Sequence, residues 1–223
     1  MIVLMSAFLL LSAFSCGGGN KANSTSEQSE ETAVNVPQFD ADSAYLYVKN
    51  QVDFGPRVPN TKEHVACGNY LAGQLEAFGA QVTNQYADLI AYDGTLLKAR
   101  NIIGSYKPES KKRIALFAHW DTRPWADNDP DEKNHNTPIL GANDGASGVG
   151  ALLEIARLVN QQQPELGIDI ILLDAEDYGA PQFYTGQHKE EFWCLGSQYW
   201  ARNPHVQGYN ARFGILLDMV GGE

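Results

Sequence analysis

Apolar and polar positions follow three different rhythms along this chain. From Phe39 to Gly55 the apolar residues Tyr45, Val48 and Val52 recur at helical spacing, with Asp40 or Ser43 placed to cap the start. A second helix is predicted from His64 to Ala80, with Leu71, Leu75 and Phe78 on one side and Gly79 near its end. Residues 81–92 and 95–106 alternate with the two-residue period of strands. Asp93-Gly94 between them reads as a hairpin turn.

The third rhythm is the compact apolar run. RIALFAHW, IDIILLDAED and ARFGILLDMVGGE each read as a buried strand that runs into polar residues. Between the first two, GANDGASGVGALLEIARLVNQQQ opens on glycines and continues as a helix. Its apolar face is Val149, Leu152, Leu153, Ala156 and Val159. SQYWARNPH forms a further helical segment before the third run. Apolar strands alternating with helices predict an α/β domain with a largely parallel central sheet. In such sheets ligands sit beyond the carboxyl ends of the strands.

Composition adds bounds. The chain has 223 residues, of which 43% are hydrophobic, enough for one domain with a full core over residues 38–223. The formal net charge of −11 offers no basic footprint, so nucleic acid is excluded as a partner. Residues 1–16, MIVLMSAFLLLSAFSC, are too short to span a bilayer and read as an export signal. Cys16 after Ala13, Phe14 and Ser15 resembles a bacterial lipoprotein cleavage box, with Cys16 as the lipidated residue; an ordinary signal peptide cut nearby is the alternative. Residues 17–37 are small and polar, as a flexible tether requires. The expected address is therefore the periplasm or the outer membrane of a bacterium, with membrane contact only through a lipid anchor. Cys67 and Cys194 form either one bridge or, on the favoured reading, two partly buried thiols. The chain stops just past its third apolar run, so the fold is expected to be incomplete at its C-terminus.

The chemistry lies where the strands end. Carboxylates are costly to bury unless they are paired or bound to a cation. His119, Asp121, Glu176, Asp177 and Asp218 all fall at predicted strand ends, and Asp144 stands among glycines from which it can turn back to the same rim. Their convergence predicts a metal site. His119 is either a ligand or a hydrogen-bonded rim residue, and Asp144 either a ligand or a helix cap. Glu176 and Asp177 are adjacent and so diverge, which suits Glu176 as general base and Asp177 as ligand. Asp174 reads as structural. Phe183, Tyr184, Phe192 and Trp193 either wall a small pocket or pack their own loop. Trp193 is the candidate for substrate packing.

The order HWD, ANDGASG, AED and LLDMVG resembles the zinc-dependent aminopeptidase superfamily, and within it the animal-type glutaminyl cyclases of bacteria. The likeness runs from Phe39 to the end and includes FGPRVPNT. It implies a three-layer α/β fold with a mixed, mainly parallel, twisted sheet flanked by helices. It also implies one zinc ion held by Asp144 and Asp177, Glu176 as acid/base, and Asp218 as a buried hydrogen-bonding acid at the active centre. The family's third ligand is a His from a late loop, which this sequence does not contain; His135, His188 and His205 lie elsewhere in the order. The implied reaction converts the N-terminal Gln of peptides or proteins to pyroglutamate and releases ammonia. Trp120 after His119, the RPWAD loop and Asp rather than Glu at position 177 favour that branch. Its alternative is a two-zinc aminopeptidase, in which His119 and Asp218 would hold the second metal. A third reading, a non-catalytic surface lipoprotein used for binding, is disfavoured because Asp144 and Glu176 are both present.

Overall fold

The computed structural model describes residues 35–222. The export segment, Cys16 and most of the polar tether lie outside the described residues. Helix α1, Ala41–Val52, is capped by Asp40, whose side chain accepts from the backbone of Asp42 and Ser43. Its inward face is Ala44, Tyr47, Val48 and Gln51, the i, i+3, i+4, i+7 set. Tyr45, expected on that face, is 73% exposed. The rotation follows from Gln51, which is buried because its amide donates to the carbonyls of Tyr47 and Ala146. Helix α2, Lys62–Ala77, starts two residues before its expected position because Thr61 accepts from the His64 amide as N-cap. Leu71 and Leu75 are fully buried, and Gly79 supplies the positive φ of 78° that ends the helix.

Strands β1, Gln81–Ile90, and β2, Leu96–Tyr106, form the expected hairpin. Asp93 accepts from the Thr95 amide inside the turn, and Gly94 takes φ of 85°. Strand β3 is Arg113–His119, helix α3 Ala146–Gln161, strand β4 Gly167–Leu173, helix α4 Leu195–Arg202 and strand β5 Gly214–Leu216. The sheet is mixed, with spatial order β1-β2-β4-β3-β5. The β1–β2 and β2–β4 pairs are antiparallel; β3 is parallel to both β4 and β5.

Alternation along the strands divides the sheet between two helical layers. Leu116, Ala118, Ile168, Ile170 and Leu172 face a core shared with Leu71 and Leu75 of α2 and Val149, Leu152 and Leu153 of α3. Ala115, Ile171, Leu173 and Phe117 face the other way, against Trp200 of α4. The chain leaves β3 through α3 to reach β4 on one side, then returns through α4 to β5 on the other. The reversal opens a crevice beyond the carboxyl end of β3.

One expected strand differs. β5 covers only three residues, and Ile215 and Leu216 are exposed at 45% and 62%. It pairs with β3 alone among the described strands, so its apolar side chains have cover on one edge only. Its downstream end is nevertheless pinned. Leu217 donates its amide to Phe117 at 2.8 Å, Val220 to the Ser147 hydroxyl at 3.0 Å and Gly221 to Asn143 at 2.8 Å. Gly148 of α3 lies so near the Leu217 carbonyl that any Cβ there would collide with it.

Candidate active site

The crevice holds the residues that the sequence placed at its rim. His119 ends β3 and is buried, 4% exposed. Its Nε2 is 2.9 Å from Asp144 Oδ1 and 3.5 Å from Asp218 Oδ1. Its Nδ1 is 3.5 Å from Asp121 Oδ1 and 4.0 Å from Glu176 Oε2. Burial alone would lower the His119 pKa; the surrounding carboxylates, Asp121 and Asp144 foremost, overcome this and raise it to about 11.

Asp144 reaches the rim because the chain turns sharply behind it. Gly145 has φ of 91°, and a Cβ there would lie 2.7 Å from the Asp121 carbonyl oxygen. Gly145, not Asp144, takes the N-cap position of α3, and it makes no side-chain cap. The Asp144 carboxylate is thus free for His119 and for the crevice. Arg57, from the FGPRVPNT motif, fastens this loop to the end of β3: it is fully buried and donates to the carbonyls of Gly141 at 2.7 Å and Trp120 at 3.3 Å.

The acid pair beyond β4 is set by a kink. Ala175 adopts φ of 50°, a left-handed conformation rare without glycine. Asp174 holds the kink: its carboxylate accepts from the Ala175 amide at 2.7 Å, the Arg100 amide at 2.6 Å and His64 Nε2 at 2.8 Å. His64 in turn stacks on Trp120, ring centroids 4.3 Å apart. Asp121 then accepts from the amides of Glu176 at 3.0 Å and Asp177 at 3.1 Å. The start of α4 lies alongside, with the amides of Cys194, Leu195 and Gly196 donating to the carbonyls of Glu176, Ala175 and Asp174.

The result is the divergence expected of adjacent acids. Glu176 lines a largely apolar cavity of about 310 Å³ together with Asp218, Cys194, Trp200 and Leu216. Asp177 lines a polar cavity of about 350 Å³ together with Asp144, Arg123, Gln182, His188 and Trp193. Burial raises the Glu176 pKa; His119 opposes the rise, and Asp121 and Asp144 add to it. Burial likewise pushes Asp177 up to about 8, reinforced by Asp121 and Asp144.

The donor set suits a divalent cation. His119, Asp144 and Asp218 bring ligand atoms within 4.8 Å of one another. Asp177 Oδ2 is a buried acceptor with no hydrogen-bond partner among the described residues. A buried acceptor without a donor, beside further acids, is what a bound cation neutralises.

Trp193 does line the polar cavity, yet its ring also lies flat on Gly179 and 4.8 Å from the Arg123 guanidinium. Loop packing accounts for Tyr184, whose ring sits 4.8 Å from Tyr92, and for Phe183, which stacks on His135. Cys67 and Cys194 are both free thiols. His188, not singled out from the sequence, also faces the polar cavity.

Residues 101–223 match the model of peptidase family M28. The chain belongs to that family. Its relatives carry several names, among them glutaminyl cyclase and aminopeptidase. It is 95% identical to the solved Bacteroides thetaiotaomicron glutaminyl cyclase bound to N-acetylhistamine, over 85% of this chain and 65% of that one, with a TM-score of 0.84. The same identity, coverage and TM-score relate it to a structure of a leucine aminopeptidase precursor from Bacteroides thetaiotaomicron. A Drosophila melanogaster glutaminyl-peptide cyclotransferase is 24% identical over 189 residues, 79% of this chain. This M28 chain spans about half the length of that relative, 48%.

Proposed function

We propose that this M28 protein is a zinc-dependent glutaminyl-peptide cyclotransferase acting on the N-terminal Gln of peptides or proteins. The observation that carries the reading is the separation of the acid pair. Glu176 is presented in an apolar cavity, and Asp177 is turned to Asp144 on the other side. The 95% identity to a glutaminyl cyclase supports it.

Asp144 and Asp177 would hold the zinc ion. Bound there, zinc supplies Lewis acidity toward the γ-carbonyl of the substrate Gln. The chain's own residues then account for the rest. The 310 Å³ cavity is of a size to hold a Gln side chain folded toward its own α-amine, against largely apolar walls. The α-amine nitrogen bonds to Cδ, the carbon of the side-chain amide, and Glu176 takes one of its protons. Glu176 gives that proton to the amide nitrogen Nε2 as the Cδ–Nε2 bond breaks, so that nitrogen leaves as ammonia and a five-membered lactam remains. A carboxyl raised by burial suits both halves of that transfer. Asp218 lines the same cavity as Glu176 and Cys194, although it is exposed, its side chain at 48%, and not buried as the resemblance implied. The apolar leader and Cys16 support an exported, lipid-anchored protein.

The second reading is a two-metal aminopeptidase. It is favoured by the meeting of His119, Asp144 and Asp218 and by the leucine aminopeptidase name of one relative. The two separate on product. Zinc-loaded protein is incubated with Gln-Ala and, in parallel, with Leu-Ala. Ammonia and pyroglutamyl-Ala, lost in Glu176→Gln, support the cyclase. Free leucine without ammonia overturns it.

A further inference from the structure

The two carboxylate oxygens of Asp177 have different surroundings. Oδ1 lies 3.5 Å from Nη1 of Arg123, and the same Nη1 donates to the Asp177 carbonyl oxygen at 3.2 Å. Oδ2 is buried and has no hydrogen-bond partner among the described residues. One guanidinium nitrogen therefore grips both the backbone and the side chain of residue 177 and leaves a single oxygen to be presented.

Arg123 is itself fixed. Its Nε donates to Asp127 Oδ1 at 2.7 Å and its Nη2 to Oδ2 at 2.5 Å, a bidentate fork. Asp127 is held in turn by the Gln182 amide at 2.9 Å. The guanidinium lies 4.8 Å from the Trp193 ring centre and 5.7 Å from that of Trp125. Nη2 also reaches the Ala180 carbonyl at 3.4 Å. With the fork committed to Asp127 and its plane set beside two indoles, Nη1 has one place to go. A lysine has no planar fork and could not hold Asp127 and residue 177 together.

We infer that Arg123 is a positioning residue that presents Asp177 Oδ2 to the bound cation. The inference rests on the proposal that Asp177 is a metal ligand. It assigns work to the TRPWAD loop, in which Arg123 and Asp127 stand four apart, and to Trp193, which here supports a ligand rather than a substrate.

The test measures zinc affinity in the full chain by competition with a chromogenic chelator, so it does not depend on turnover. Four proteins are compared: wild type, Asp177→Asn, Arg123→Lys, and the double variant Arg123→Ala with Asp127→Asn, which removes both charges of the fork together. Thermal unfolding without metal checks that each is folded. Where Arg123→Lys fails to fold, the double variant decides. The expected result is weaker zinc binding in the folded Arg123 variants, by about 10–100-fold as for other partners of metal ligands. If Asp177→Asn weakens binding while a folded Arg123 variant binds as tightly as wild type, the inference is overturned and the ligand role stands. If Asp177→Asn itself binds like wild type, the ligand role fails and the inference falls with it.

Discussion

The Cys194 thiol donates to Glu176 Oε1 at 3.0 Å, while Oε2 of the same carboxylate lies 4.0 Å from His119 Nδ1. Cys194 holds this place because it stands at the start of α4 with φ of 54° and its own amide is bonded to the Glu176 carbonyl. The thiol thus selects which oxygen of Glu176 faces the crevice. Cys194→Ala should lower kcat by roughly 2–10-fold, the worth of about 0.5–1.5 kcal/mol for one hydrogen bond, with little change in KM. Cys194→Ser keeps a donor and should stay near wild type. An alanine variant with unchanged kcat would remove Cys194 from the mechanism.

Metal removal separates the proposed enzyme from a metal-free one. Dialysis against a chelator should abolish ammonia release from Gln-Ala, and one equivalent of zinc should restore it. Asp144→Asn should not be restored at that dose, because Asp144 lies within 4.8 Å of the ligand atoms of both His119 and Asp218 and shares a cavity with Asp177. Full activity in the chelated protein would sink the zinc assignment.

Gly148→Ala tests how Asp218 is placed. The added methyl would meet the Leu217 carbonyl and push the segment bearing Asp218 off α3. Overpacking of this kind costs typically about 1–3 kcal/mol. The expected signs are a lower Tm and a fall in kcat larger than that of Gly73→Ala, whose site has open space within 4 Å. Equal kcat in the two variants would mean that Asp218 is placed by other contacts.

A pH signature arises away from the site. Asp169 is buried in β4 and bonded to Arg113 at 2.7 Å, Ser105 at 2.7 Å and Tyr209 at 2.7 Å. Burial alone would raise its pKa; the bonds from Arg113, Ser105 and Tyr209 outweigh this and hold it below the ordinary 3.8. A carboxyl lowered by folding contributes stability that is present above its unfolded pKa and is lost as pH falls through the folded one. Urea midpoints should therefore drop as pH falls below about 4, and Asp169→Asn should show a smaller drop over the same window. Parallel curves for the two proteins would exclude Asp169 from acid unfolding.

Much of this was legible in the sequence, for identifiable reasons. Asp40, Asp93-Gly94 and Gly79 act within three or four residues of themselves, so cap, hairpin and helix end could be read locally. The apolar runs of β3 and β4 are buried on both faces and show it as near-continuous hydrophobicity, interrupted in β4 by Asp169. The divergence of Glu176 and Asp177 could be read from their adjacency, although the kink at Ala175 that aims the pair could not. Tyr45 misled because helical spacing does not tell which of two overlapping stripes wins, and the winner was decided by Gln51 finding carbonyls to bond. The exposure of Ile215 and Leu216 was hidden because apolar sequence records what a strand could bury, not what lies beside it. Arg57 and Cys194 were not assigned roles. Their partners stand 84 and 18 residues away, and only the fold brings them together. Arg123 was quoted in its loop but gained a role only when Asp177 came within reach across 54 residues.

The pinning of residues 217–221 to the start of α3 and the loop before it makes that stretch a jig. Asn143, Ser147 and Gly148 hold the segment after β5 that carries Asp218, and Asp144 sits inside the same stretch. Two acids 74 residues apart in sequence thus ride on one rigid part. Both acids are also tied to β3, Asp218 through the Leu217–Phe117 bond and Asp144 through Arg57, so a push on α3 at Gly150, where α1 presses on it, loads the gap between the two acids and their aim at His119 together.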